Sequence, residues 1–118
     1  MLINFSETSS IYDLVRQILN AHERTAIIVD SENKLMGVVT EGDILRALWN
    51  GIGMESPIDQ CINFNPITVD KSEVNNKSKL INWFLKNGIL IIPVVDENKF
   101  VEGYIKTREI VAEVTNVQ

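Results

Sequence analysis

The sequence predicts an α/β (α+β) fold of two β-α-β-β-α units packed sheet to sheet with pseudo-twofold symmetry. Three observations predict it: a tandem repeat in one ungapped register, helical apolar spacing at equivalent places in both copies, and short β-branched runs between them. Ile28-Val29-Asp30 recurs as Val94-Val95-Asp96, an offset of 66 residues. The same offset carries Gly37 onto Gly103, Ile44 onto Ile110 and Ser6-Glu7 onto Ser72-Glu73. It also carries Leu14, Val15, Ile18 and Leu19 onto Leu80, Ile81, Phe84 and Leu85. The identities at Ser, Glu, Asp and Gly positions mark a duplication rather than the chance recurrence of common apolar residues.

The elements follow in order. A short strand near Leu2 to Asn4 opens the first copy. Leu14, Val15, Ile18 and Leu19 fall at i, i+1, i+4 and i+5, which predicts a helix from about Ser9 to Ala21 with one apolar face. Thr25 to Asp30 is β-branched and apolar without alternation, as in a strand buried on both faces. The polar turn Ser31-Glu32-Asn33-Lys34 leads to a second strand, Leu35 to Thr40. Ile44, Leu45, Leu48 and Trp49 repeat the helical spacing, so a helix runs from about Glu41 to Trp49 and stops at Asn50-Gly51. The second copy reads the same way. It has a strand near Ile67 to Val69, a helix Lys77 to Lys86 stopped at Asn87-Gly88, and strands Ile89 to Val95 and Phe100 to Ile105. A last helix spans Thr107 to Val114. The predicted division is 1–54, a linker 55–65 with a helical turn starting at Pro57, and 66–118.

Composition limits the function. The chain has 118 residues, 45% hydrophobic and 23% charged, enough for a core without metal or disulfide staples. Neither half is large enough to bury a generous core alone, which is why the halves are expected to pack together. Sixteen acidic against 11 basic residues give a formal net charge of −5. That argues against nucleic-acid polymers and anionic membranes, which need a basic field. No apolar run reaches the ~18 residues of a membrane span, and the start carries no signal-peptide pattern. A cytoplasmic location is expected.

The catalytic inventory is thin. His22 is the only histidine and sits at a predicted helix end; Cys61 is the only cysteine, so neither a disulfide framework nor a Cys/His zinc site is expected. Asp30 and Asp96 read as turn formers. Trp49 and Trp83 read as core or subunit-contact residues, and the mixed charge run Lys71 to Lys79 as a solvated helix start. No dinucleotide or P-loop glycine motif occurs. One segment stands out, Gly37-Val38-Val39-Thr40-Glu41-Gly42-Asp43-Ile44. It sets a hydroxyl and a carboxylate at i and i+3 where a strand meets a helix. Two readings fit: Thr40 as N-cap with Asp43 as the capping-box acid, or a carboxylate for a ribose diol beside backbone N–H groups that favour phosphate.

The tandem unit with strand, Asp turn, Gly-h-h-Thr-x-x-Asp and the strand Ile91 to Asp96 resembles the CBS (cystathionine β-synthase) domain over nearly the whole chain. Two such units resemble a CBS pair, or Bateman module. The resemblance implies a regulatory, non-catalytic, homodimeric module that needs no cofactor and binds an adenosine-containing ligand such as AMP, ADP, ATP or S-adenosylmethionine between the units. Carried over residue by residue, it implies two sites. The first comprises Val38, Thr40, Gly42 and Asp43 with Asn65, Pro66, Ile67, Thr68, Ile91 and Pro93, Asp43 holding the ribose. The second comprises Ile3, Arg24, Thr25 and Ile27 with Lys106, Arg108 and Glu109. There Lys106 and Glu109 replace the hydroxyl residue and the Asp, and the surroundings are cationic. Leu90 and Ile91 stand where phosphate-binding members often carry basic residues, so the first site is expected to prefer a ligand of lower charge or to stay empty. A structural module that only dimerises is the alternative. The start, the Gly37 to Arg46 segment and Asn65 to Val69 are also similar to CBS pairs preceding sugar-phosphate nucleotidyltransferase domains.

Overall fold

A computed structural model describes residues 1–88, 91–106 and 109. It divides into two units, 1–66 and 67–118. In the first, β1 (Leu2–Asn4), α1 (Ile11–Asn20), β2 (Thr25–Val29), β3 (Leu35–Thr40) and α2 (Glu41–Trp49) follow one another. In the second come β4 (Val69–Asp70), α3 (Lys77–Asn87), β5 (Ile91–Val95) and β6 (Val101–Lys106). Each unit builds a three-stranded sheet with the middle strand parallel to the first and antiparallel to the third. The repeat seen in the sequence is therefore a repeat of topology. The helix expected over Thr107 to Val114 lies outside the described residues apart from Glu109, as does the Ile89-Leu90 start expected for β5.

The turns explain themselves chemically, and they match across the repeat. Asp30 Oδ1 accepts from the Glu32 and Lys34 N–H groups at 2.8 and 3.0 Å. Asp96 Oδ1 accepts from Asn98 and Phe100 at 2.9 and 3.0 Å. Asn33 and Lys99, equivalent by the offset, both take a left-handed backbone with φ of 68° and 69°. These aspartates are turn formers, as their sequence context suggests.

Helix ends match as well. Gly51 follows α2 at φ 88°, and the N–H groups of Gly51 and Ile52 close on the Leu48 and Ala47 carbonyls, each at 3.0 Å. Past α1, His22 occupies the same left-handed position at φ 56°, with the His22 and Glu23 N–H groups bonded to Leu19 and Ile18 at 3.2 and 3.1 Å. Its repeat partner is Gly88, at φ 64°. A side chain at this position costs on the order of 1 kcal/mol, which glycine avoids. His22→Gly is thus expected to raise stability by about 1 kcal/mol in urea unfolding. An unchanged or lowered midpoint would contradict this account of the α1 terminus.

The first core joins Ile3, Ile11, Leu14, Ile18, Ala26, Ile28, Val39, Ile44 and Ala47. The helices bury a narrower face than their apolar spacing suggests. Leu14 and Ile18 are buried, but Leu19 is exposed. On α2, Ile44 and Ala47 face the core while Leu45 is 65% and Trp49 90% exposed. The sheet covers one edge of each helix, and positions i+1 and i+5 lie about 100° round the axis from it. Trp83 is half-buried against the second core, with the Lys79 ammonium 5.0 Å from its ring centroid. The segment expected as a linker, 55–65, runs against the first unit. Ile58, Cys61 and Ile62 are buried in its core, and Asn63 pairs antiparallel with Val38 through bonds of 3.0 and 2.8 Å. Pro57 does precede a helical turn, Ile58–Gln60.

Candidate functional site

Sheet register sorts the predicted site residues by face. Thr25 pairs with Thr40 and Ile27 with Val38, while Ala26, Ile28 and Val39 face the core. Thr25, Ile27, Val38 and Thr40 therefore share the face turned away from the first core. In the second unit Ile91 pairs with Lys106 and Pro93 with Tyr104, and Ile92 and Val94 face the core. Ile91, Pro93 and Lys106 share that unit's corresponding face. Ile3 lies apart from these. It pairs with Ile28 and is buried in the core, so it belongs to the opposite face from Thr25 and Ile27. Strand parity read from β1 alone does not reveal which face α1 covers.

The other assignments are spread out. Arg24 is exposed just before β2, and its carbonyl accepts from the Glu41 N–H at 3.3 Å. Asn65 is exposed and Pro66 half-buried at the end of the first unit; Ile67 and Thr68 open the second. Glu109 is exposed, and Arg108 lies outside the described residues.

Thr40, Gly42 and Asp43 meet at the β3–α2 junction. Thr40 is the N-cap: its Oγ1 accepts from the Asp43 N–H at 3.2 Å. Asp43 Oδ2 accepts from the Thr40 N–H at 2.8 Å and from the Thr40 hydroxyl at 2.9 Å. This is a full capping box, the first of the two readings of the sequence. It does not remove the second, because it uses only one carboxylate oxygen. Oδ1 points the other way and accepts from Arg46 Nη2 at 2.7 Å. The arginine was missed in the sequence; its i+3 spacing from Asp43 was the available signal.

Cys61 sits behind the junction. Its thiol is buried and donates to the Ile58 carbonyl at 3.3 Å. Burial pushes it from 9.0 up to about 11, with the carboxylates of Asp43 and Asp59 adding to the rise. A thiol so held is not a nucleophile at neutral pH. Unfolded, it would ionise near its ordinary 9.0, so the folded state gains from keeping it protonated. That contribution is complete below pH 9 and is lost as the pH rises to about 11. Wild type is expected to lose more stability than Cys61→Ala over this window in urea unfolding, and parallel curves would contradict it. Among the described residues no group of three or more His, Cys, Asp or Glu is placed to hold a metal. No described helix is long and apolar enough to cross a membrane.

Residues 2–50 match the family profile of the CBS domain. The chain aligns with the CBS domain pair of protein MJ0100, solved with 5′-methylthioadenosine and S-adenosyl-L-methionine, at TM-score 0.74 and 25% identity, over 92% of this chain and 84% of that one. A CBS domain protein of Pyrobaculum aerophilum complexed with AMP gives TM-score 0.74 at 21% identity, over 99% and 92%. Arabinose 5-phosphate isomerase GutQ of Escherichia coli is 26% identical over 102 residues, 86% of this chain and 31% of its own. The chain spans about a third to a half of the length of the curated relatives it matches. The first unit matches the CBS domain profile, and the fold of the chain is similar to that of solved CBS domain pairs.

Proposed function

We propose that the chain is a non-catalytic regulatory module that binds an adenosine-containing ligand at the β3–α2 junction of its first unit. The observation that carries the reading is the Thr40–Asp43 pair, seated at a strand-to-helix junction within the CBS-matched segment. Asp43 is the ribose acceptor. Thr40 and Gly42 border the ribose or phosphate, and Val38, on the sheet face turned away from the first core, contributes an apolar wall. Relatives of this fold solved with AMP and with S-adenosyl-L-methionine support the ligand class. Binding shifts a regulated partner only by the ligand's differential affinity for two states of the module. Isothermal titration with AMP, ADP, ATP, adenosine and S-adenosylmethionine tests this. Saturable heat with at least one is expected, and silence with all five would overturn it.

The regulated partner is an enzyme of sugar-phosphate chemistry, attached or associated, in a cytoplasmic protein. A nucleotidyltransferase is the sequence-based expectation. The match to a sugar-phosphate isomerase makes an isomerase the second reading. Homodimerisation runs through α2, whose exposed Leu45, Leu48 and Trp49 lie at i, i+3 and i+4 on one face. Trp49→Glu is expected to turn a dimer into a monomer by light scattering at tens of micromolar. A dimer that survives it would move the interface elsewhere.

A further inference from the structure

The carboxylate proposed for the ribose is already engaged on both oxygens. Thr40 supplies two donors to Asp43 Oδ2, and both are fixed by the capping turn. Arg46 supplies one to Oδ1 at 2.7 Å. The two partners differ in hold. The Asp43 side chain is 17% exposed, whereas that of Arg46 is 70% exposed. Gly42 leaves the guanidinium room. A β-carbon there would stand 3.2 Å from Arg46 Nη1 and 3.6 Å from Nη2, so the guanidinium lies against bare backbone.

An ionised carboxylate offers about four lone-pair sites. Three are taken, and a ribose diol brings two donors. One partner must leave, and the solvent-exposed arginine is the one that can. We infer that Arg46 is an internal competitor at this site: it holds Asp43 closed, and a ribose is seated only after the guanidinium swings away. The inference rests on the reading of Asp43 as the ribose acceptor. It adds a specificity rule. An uncharged nucleoside bears the whole cost of breaking the pair. A ligand with an anionic group near the ribose can take up the released guanidinium.

The test is titration calorimetry with adenosine as an uncharged probe, on wild type, Arg46→Met and Asp43→Ala, with Arg46→Gln as a second variant should the first misfold. An exposed ion pair of this kind predicts about two- to fivefold tighter adenosine binding by Arg46→Met at low salt. Salt gives a readout that a structural role would not move. Wild-type affinity for the neutral probe is expected to rise as KCl screens the pair, from about 20 to about 500 mM, while Arg46→Met stays flat. Equal or weaker binding by Arg46→Met, or a salt-independent wild type, overturns the competitor role. Adenosine binding that survives Asp43→Ala unchanged overturns the site reading instead, whereas silence with adenosine in wild type and Arg46→Met alike overturns the competitor role, which requires the variant to bind. Binding by Arg46→Met where wild type is silent supports both.

Discussion

Gly37→Val is expected to destabilise the first unit by about 3 kcal/mol or more. Gly37 pairs with Ile28, on the core side of the sheet where the 61–63 segment returns. A β-carbon at residue 37 would overlap the Asn63 carbonyl and the Ile62 side chain. A backbone carbonyl cannot rotate aside as a side-chain tip can. Relief requires moving the segment, which breaks the two Val38–Asn63 bonds at about 1 kcal/mol each and lifts Ile62 from the core. The repeat supplies an internal control. Gly103 occupies the equivalent position, and no described atom lies within 4 Å of a β-carbon built there. Gly103→Ala should therefore stay within about 0.5 kcal/mol of wild type. Urea unfolding of both variants checks the pair. Equal losses would show that glycine is needed for some reason other than the return segment.

Asp43→Ala should do two separable things. It removes the acceptor for the Thr40 N–H and so costs about 1 kcal/mol of stability. It also removes a charged acceptor for two ribose hydroxyls, which predicts weaker adenosine-ligand binding on the order of a hundredfold. Asp43→Asn separates the effects. Its side-chain carbonyl can still accept from Thr40, so stability should return toward wild type while binding stays weakened. Recovery of both would leave the carboxylate with a capping role only.

Much of the fold could be read directly from the sequence because it is repeated. The offset that aligns Asp30 with Asp96 also aligns their side-chain-capped turns, and the one that aligns Gly37 with Gly103 aligns the middle of β3 with the middle of β6. The bounds of α2 follow from Thr40 as cap and Gly51 as stop, two residues whose conformational roles are strictly local. What the residues did not reveal depends on contacts distant in sequence. Leu19, Leu45 and Trp49 have helical spacing, yet how wide a stripe a sheet covers is a tertiary property. The 55–65 segment reads as a linker by composition, but Ile58, Cys61 and Ile62 find a core there. His22 shows no glycine-like signal, and only its alignment with Gly88 reveals the left-handed position. The Thr40–Asp43 pair was visible because its spacing is short. Its occupation by Arg46 depends on side-chain placement, which spacing permits without dictating.

The central claim is that Asp43 and its turn receive an adenosine ligand. The most direct measurement is an amide-resolved NMR titration of the chain with AMP. Saturable shifts centred on the amides of Thr40, Gly42 and Asp43 are the predicted result. Saturable binding that leaves those three amides unmoved, or no binding at all, would contradict it.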